Sequence, residues 1–334
     1  MRRVPAAVFA CAVGAVCAGC VPKATIVTES DARFSPSGPS AVALLPADPA
    51  LAEPIQLTEA TAVVDVRRPF DFASSRIPRS ISLQWSDFSQ ALPAQKGVLQ
   101  LDLFQIARRL ARQGIAPDTP VVVVGYGLKG SGEEGRMAWM LRYLGVQSVR
   151  FAGLTYFPGP FTSRNPFPGP EGPGRAPGEP SPRNAPIWMP NVDPSWIATR
   201  DEVREVIARG GQQKAVLAGS LLAPKLYALI DVRLMRDSTA PSAAAAGPTA
   251  ITLPWSEFVD KNGRPECSAV RKLVRLGATP AKRLIVFDEL GLASGGAVVA
   301  LRACGYSDVA NYAGGLRDLA MPKPSFGTAP NAGP

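Results

Sequence analysis

The feature of this 334-residue chain that most constrains its fold is an internal repeat. Three blocks occur twice in the same order: VDVR at 64–67 and IDVR at 230–233, ISLQWSDF at 81–88 and ITLPWSEF at 251–258, LRYLG at 141–145 and LRACG at 301–305. The copies are offset by 160 to 170 residues, so they differ mainly in short loops. Each copy is long enough to bury a core of its own. We therefore predict a duplicated domain, and one fold must explain both copies.

Strands and helices alternate within each copy. Residues 121–124 and 284–287 are continuous apolar runs of strand length, which is typical of parallel strands buried on both faces. Met137, Leu141 and Leu144 then follow at helical spacing. This alternation predicts two α/β domains, each a mainly parallel sheet flanked by helices.

The segments around the two copies have a different composition. They are rich in Pro, Gly, Ser or Ala and show no periodicity, as expected of tethers and linkers. A further low-complexity stretch at 238–248 interrupts the second copy and should form a surface loop. The predicted organisation is a leader at 1–19, a tether at 20–53, a first domain at 54–156, a linker at 157–190, a second domain at 191–321 and a tail at 322–334.

The leader has the order of a secretory signal: two arginines, an apolar stretch and small residues. It resembles a bacterial lipoprotein signal whose lipidated residue would be Cys20, although Cys17 stands where Leu is usual. Acylation there would anchor the chain to a membrane. A plain signal peptide and an uncleaved anchor are the alternatives. We expect a periplasm-facing lipoprotein of the bacterial cell envelope, and the lack of an Asp retention signal after Cys20 favours the outer membrane.

Composition excludes several kinds of chemistry. The chain contains no His, which rules out His-based triads and His metal ligands. The net charge of +9 is scattered and indicates no nucleic-acid groove. Cys267 and Cys304 are the other cysteines of the predicted mature chain, and they have no zinc spacing. An oxidising compartment would permit them to pair, but the sequence does not show whether they come close enough. We predict no metal and no cofactor.

Several motifs together resemble those of tandem rhodanese-type sulfurtransferases. VDVR at 64–67, DF at 71–72 and RIP at 76–78 look like the early signature of that family, with Arg76 where His is frequent. AGGL at 313–316 resembles its closing motif. The resemblance covers about residues 57–155 and 216–320, and it implies a rhodanese-like domain in each copy.

The family's site is a loop that begins with a cysteine at a strand end and closes at a helix N-terminus. Backbone N–H groups and the helix dipole stabilise the thiolate and its persulfide there. The resemblance places Asp288 at the cysteine position of the second copy and Gly125 at that of the first. We therefore predict two degenerate loops and no catalytic residue. The loop residues singled out are Gly125, Tyr126, Gly127 and Lys129 in the first copy and Asp288, Glu289, Gly291 and Ser294 in the second.

Two interpretations of Asp288 remain open. Its carboxylate could fill the N–H cradle in place of a bound anion, or it could be a simple loop or helix cap. Tyr126 would stand at the mouth of the first loop, either in a binding surface or as surface decoration. Glu133 and Glu134 are interpreted as complements to the helix dipole. Cys304 aligns with Leu144 and is expected as a buried core thiol.

The pattern Gly125-x-Gly127-x-x-Gly130 matches a dinucleotide fingerprint formally, but it sits late in its domain and no acidic residue ends the next strand.

The favoured function is a membrane-anchored, protein-binding or scaffolding pseudoenzyme. Its expected partners are the membrane, through Cys20, and a cell-envelope protein, and nucleic acid is not expected. The alternative is a sulfurtransferase or envelope redox enzyme that uses a non-standard cysteine, for which Cys267 is the candidate.

Overall fold

A computed structural model describes residues 46–163, 185–210, 214–215, 225–233 and 250–322. The predictions for the leader, for Cys20, for most of the tether, for the stretch at 238–248 and for most of the tail lie outside these residues. Within the described ranges, no helix is both long and apolar enough to cross a bilayer.

The first domain contains a four-stranded parallel sheet in the order β2-β1-β3-β4. Its elements are β1 (Ala62–Asp65), α1 (Pro69–Ser74), β2 (Ile81–Ser82), α2 (Leu103–Arg112), β3 (Val121–Gly125), α3 (Glu133–Leu144) and β4 (Val149–Gly153). All five residues of β3 are buried, because helices or loops cover both faces of a central parallel strand.

The second domain repeats this order. Its elements are α4 (Arg200–Ala208), β5 (Lys214–Ala215), β6 (Lys225–Asp231), β7 (Ile251–Thr252), α5 (Ser268–Arg275), β8 (Arg283–Phe287), α6 (Ala293–Ala303), β9 (Val309–Asn311) and α7 (Gly315–Leu319). Strands β6, β7, β8 and β9 are parallel, and β5 pairs antiparallel with the start of β6. The predicted fold class of two α/β domains with mainly parallel sheets is confirmed.

The repeated Asp-x-Arg motif has a structural role. Asp65, at the end of β1, accepts hydrogen bonds from the backbone N–H and the guanidinium of Arg67, with Nη2 at 2.8 Å. Asp231, at the end of β6, binds Arg233 in the same way, at 2.6 Å. These side chains are buried, and a buried charge requires such a partner. The motif therefore fixes the chain where it leaves the sheet.

Strand pairing fixes which positions of the two domains correspond. Asp65 pairs with Val124 across β1 and β3, and Asp231 pairs with Phe287 across β6 and β8. Gly125 follows Val124, and Asp288 follows Phe287. Gly125 and Asp288 therefore occupy equivalent positions at the ends of the central strands β3 and β8.

The two domains share a core in which α3 packs against α6. A β-carbon on Gly135 of α3 would overlap the backbone of Gly296 of α6, and one on Gly132 would lie 2.8 Å from the Cα atom of Ala293. Only residues without side chains allow the two helices to approach so closely near their N-termini. This contact brings the two strand-to-helix loops to the domain boundary.

The predicted boundary between the tether and the first domain differs from the structure. Residues 48–54, at the end of the predicted tether, lie against both domains. Arg150 of β4 donates to the Glu53 carbonyl at 2.5 Å, and Arg264 of the second domain donates to the carbonyls of Leu51 and Glu53 at 2.8 and 2.9 Å. The contacts use backbone carbonyls, so side-chain composition did not reveal them.

Cys304 is buried in the core as predicted, but the prediction of a free thiol is wrong, because Cys304 forms a disulfide with Cys267. The two Cα atoms are 5.6 Å apart, within the range that a disulfide requires. Cys267 precedes α5 and Cys304 follows α6. Since α6 has 11 residues, its two ends are about 16 Å apart, which separates the disulfide from the loop at the N-terminus of α6.

Candidate functional site

The second loop is organised around the Asp288 carboxylate. Oδ1 accepts hydrogen bonds from the N–H groups of Leu290 at 2.8 Å, Leu292 at 3.3 Å and Gly291, and Oδ2 accepts one from Ser294 at 3.0 Å. The φ angle of 72° at Gly291 turns the backbone so that these donors converge, a conformation that favours glycine. The carboxylate therefore occupies the centre of an N–H cradle.

This geometry joins the two interpretations that the sequence left open. Asp288 fills the cradle, and because Ser294 belongs to the first turn of α6, it also caps that helix. Burial raises the pKa of the Asp288 carboxyl, while the backbone N–H donors oppose that rise. The donors that could stabilise a bound anion are already used by the protein itself.

The other predicted residues of this loop support the cradle or lie at its edge. Ser294 donates its hydroxyl to Oδ1 of Asn311 at 2.7 Å, and the Asn311 amide donates to the Gly291 carbonyl at 3.2 Å. Glu289 points away from the cradle and forms an ion pair with Arg317 at 3.1 Å. Glu289 therefore does not add a second charge to the centre of the loop.

The first loop is filled from a different position. Gly125 has no side chain, and a β-carbon there would overlap the Oε2 atom of Glu134. Glu134 lies in the first turn of α3 and is fully buried. Because Leu144 corresponds to Cys304, Glu134 corresponds to Ser294 in the other domain. The carboxyl group in the first loop therefore belongs to a helix residue, whereas the carboxyl group in the second loop belongs to the residue at the end of the strand.

Glu134 lies in the first turn of α3, where the sequence analysis expects a complement to the helix dipole, but its burial was not predicted. Its oxygens are buried and make no hydrogen bond of normal geometry among the described residues. Burial raises the pKa of Glu134 to about 8, and the nearby N–H groups of Gly127 and Glu134 itself only partly offset this effect. Glu133, by contrast, accepts a hydrogen bond from the Ser131 N–H at 2.8 Å.

The remaining predicted residues of the first loop line its rim. The Tyr126 hydroxyl donates to the Asp71 carboxylate and accepts from the Arg68 N–H at 3.0 Å, which fastens the loop to the start of α1. Gly127 is buried, whereas the Lys129 side chain is exposed. Tyr126 therefore has a positioning role that the sequence did not reveal.

Each loop is covered by a turn from the other domain. Asn262 accepts a hydrogen bond from the Gly153 N–H at 2.8 Å, and a β-carbon on Gly263 would lie 2.6 Å from the Cα atom of Gly127. In the reverse direction, a β-carbon on Gly97 would overlap the Leu290 carbonyl oxygen. These reciprocal contacts leave little open space above either loop.

A buried arginine lies between the two domains. Arg136 of α3 donates from Nη2 to the Gly97 carbonyl and lies over the Trp139 ring, 4.5 Å from its centroid. Burial lowers the pKa of Arg136 to about 9, and the negative charge of Asp288 opposes that fall. Arg136 therefore compensates part of the charge of the second loop from the other domain.

No cluster of three or more His, Cys, Asp or Glu side chains that could hold a metal ion occurs among the residues the structure covers. A separate groove of about 600 Å³ lies between the domains, beside the second loop. It is lined by Leu101, Tyr143, Arg200, Arg204 and Gly314, among other residues. Arg200 is paired with Asp318 there, so the groove holds no free cation at that position.

Two α/β domains with parallel sheets, each with a carboxyl group in its central strand-to-helix loop, are the features of a tandem rhodanese fold. Residues 49–152 match the family model of the rhodanese-like domain. The match covers the first domain, and the two parallel sheets of the described residues have the tandem rhodanese fold. The resemblance predicted from the sequence motifs is confirmed. A comparison of the sequence with curated proteins gives no significant match.

Solved structures share this fold at low sequence identity. SseA from Escherichia coli, described as a 3-mercaptopyruvate sulfotransferase, has a TM-score of 0.57 and 17% identity over 77% of this chain and 93% of its own. Wild-type EanB has a TM-score of 0.58 and 15% identity over 80% of this chain and 63% of its own. A variant of EanB bound to hercynine gives the same values. This chain thus spans less than two thirds of EanB.

Proposed function

We propose that this protein is a cell-envelope lipoprotein whose two rhodanese-like domains are catalytically degenerate and bind a protein partner. The observation that carries the proposal is that a carboxylate fills each loop: Asp288 in the second domain and Glu134 in the first. Sulfur transfer on this fold requires a nucleophilic thiolate, and a carboxylate cannot carry a sulfane sulfur.

The alternative of a non-standard cysteine is not favoured. Its candidate, Cys267, is bonded to Cys304 and so presents no thiol. Both sulfur atoms also lie at the end of α6 remote from the loop. The disulfide supports export, because such bonds persist in oxidising compartments. Export in turn agrees with anchoring through Cys20 at the outer membrane.

Sulfur-transfer assays test the catalytic part of the proposal. The purified protein should form no thiocyanate from cyanide with either thiosulfate or 3-mercaptopyruvate, the compound named for SseA. Turnover above the blank that disappears after thiol alkylation would overturn the proposal.

The variant Asp288→Cys tests whether the loop still forms a thiolate cradle. Its thiol should have a pKa below the ordinary value of about 8.5, because the loop N–H groups favour the thiolate. The matched variant Glu59→Cys places a thiol in an exposed turn ahead of β1, outside any helix, and should titrate normally. Alkylation rates as a function of pH measure the pKa values of both thiols. Equal pKa values would contradict the assignment of the thiolate cradle to this loop.

Cell fractionation tests the anchor. The full chain should be recovered with outer membranes, and Cys20→Ser should release it or block its maturation, because the acyl chains would be lost. Recovery of both forms in the same soluble fraction would contradict anchoring at this residue.

A further inference from the structure

We propose that the rim of the first loop is the docking surface of this protein, and that its partner presents an acidic segment carrying an apolar side chain. We call this surface the first-loop rim and define it by Arg68, Phe70, Leu128 and Lys129. The inference rests on the proposed function and adds to it a location and a partner chemistry.

The four residues are brought together by one contact. The Tyr126 hydroxyl binds the Arg68 N–H and the Asp71 carboxylate, so the loop that carries Leu128 and Lys129 is fastened to the start of α1, which carries Phe70. Both segments therefore flank the same hydrogen bonds. The rim is held in place before any partner binds, which reduces the entropic cost of association.

Two large apolar side chains of the rim are exposed to solvent. Phe70 is 63% exposed and Leu128 is 45% exposed, although large apolar side chains of a folded domain are mostly buried. Aromatic and aliphatic side chains of this kind are common anchors of protein interfaces.

The charged part of the rim selects the partner. The side chains of Arg68 and Lys129 are exposed, and neither forms an ion pair or hydrogen bond within the described ranges. The nearby carboxylates of Asp71 and Glu133 are turned towards loop donors instead. The most exposed charges of the rim are therefore the two cations, whereas Asp71 and Glu133 are partly buried, and an acidic partner would be attracted to Arg68 and Lys129.

Among the described residues of the second domain, the loop after β8 offers no equal surface. Its loop residue Glu289 is engaged by Arg317, and the Leu290 carbonyl lies against Gly97 of the first domain. The first loop is also three residues longer between the equivalent positions, since Gly125 and Glu134 correspond to Asp288 and Ser294. The additional length belongs to the loop that carries Leu128 and Lys129 of the rim.

Site-specific photo-crosslinking tests the surface in the full, membrane-anchored chain. The probe is p-benzoylphenylalanine in place of Leu128, and the matched probe replaces Leu92, which is 58% exposed outside the rim. We expect an envelope protein to crosslink at position 128 and not at position 92, through a segment that contains Asp or Glu beside an apolar residue. Crosslinks to lipid, or the same products from both positions, would overturn the inference.

The captured protein is then purified and titrated against variants. Charge reversal by Arg68→Glu with Lys129→Glu, and separately Phe70→Ser, should weaken binding by about tenfold or more, as for interface hot spots. Arg271→Glu on α5 is the matched charge control and should leave the affinity unchanged. Unfolding midpoints of all variants establish that each is folded.

The possible failures can be separated. If a partner binds and the rim variants bind it as tightly as the wild type, the proposed function stands and this surface is wrong. If position 128 captures no protein from the native membranes, this surface is wrong, whereas the proposed function is contradicted by sulfur-transfer turnover and not by this result.

Discussion

The Oε2 atom of Glu134 occupies the place that a β-carbon at position 125 would take, so Glu134 in this position requires glycine at position 125. In the second domain, Asp288 supplies the carboxyl group of the loop from the strand end itself. Each domain has the strand, loop and helix arrangement of the rhodanese fold, with a carboxyl group of its own in the centre of the loop. The two carboxyl groups come from positions that do not correspond in the two domains, Glu134 in α3 and Asp288 after β8.

The pair gives a direct stability prediction. Gly125→Ala should lower the free energy of unfolding by about 2 kcal/mol, because the added methyl group overlaps a buried carboxylate. Glu134→Ser introduces the residue type found at the equivalent position of the second domain and should remove most of that loss in the double variant. Urea denaturation of the four proteins measures the coupling. Additive effects of the two changes would show that the residues do not share the space.

The pKa of Glu134 predicts an unusual dependence of stability on pH. In the unfolded chain the carboxyl ionises near the ordinary value of 4.5, whereas in the folded protein its pKa is about 8. Between these values the folded state holds a proton that the unfolded state has lost. Stability should therefore fall as the pH rises from about 5 to 8, by on the order of 1 kcal/mol per pH unit, and then level off.

Glu134→Gln should abolish this component, since the amide does not titrate. Glu59→Gln changes an exposed carboxylate and should leave the dependence as it is in the wild type. Unfolding midpoints across this pH range provide the measurement. A wild-type slope that persists in Glu134→Gln would assign the proton to another group.

Asp288→Asn tests the second cradle. The amide has only one acceptor oxygen and directs an NH₂ group at backbone donors, so hydrogen bonds to Leu290 or Ser294 must be lost. The expected loss of stability is about 2 to 3 kcal/mol, because these bonds are made to a charged group. Asp201→Asn at an exposed position should cost no more than about 1 kcal/mol. Equal losses in the two variants would mean that the cradle contributes nothing.

The disulfide should stabilise the second domain. Cys267 and Cys304 are separated by 37 residues, and closing a loop of that size contributes roughly 3 to 4 kcal/mol in the chain-entropy description. Replacement of both residues by Ser, or reduction of the wild type, should lower the unfolding midpoint. A wild-type protein that yields alkylated Cys267 without prior reduction would contradict the assignment.

The fold could be predicted because its determinants are repeated and local. The apolar runs of β3 and β8 and the Asp-x-Arg motifs at the ends of β1 and β6 identify the strands, and strand ends locate the loops. The group that fills the second loop could also be predicted from the sequence, because Asp288 itself aligns with the cysteine position of the family. The hydrogen bonds of its carboxylate are those that the cradle hypothesis expects.

The first loop could not be predicted in this way, because its carboxylate comes from a residue nine positions away. Glu133 and Glu134 are adjacent and identical in the sequence, yet one caps the loop and the other is buried. Two features of the sequence could have indicated that another side chain enters the first loop: Gly125 has no side chain, and the loop is longer than in the second domain. The disulfide and the contacts of residues 48–54 depend on how distant segments pack, which no local pattern encodes.

The central claim is that neither loop can carry sulfur, and intact-mass spectrometry of the protein after exposure to thiosulfate or 3-mercaptopyruvate tests it most directly. We predict an unchanged mass for the native, disulfide-bonded protein. The gain of a single sulfur atom on any cysteine, reversed by cyanide, would contradict the account.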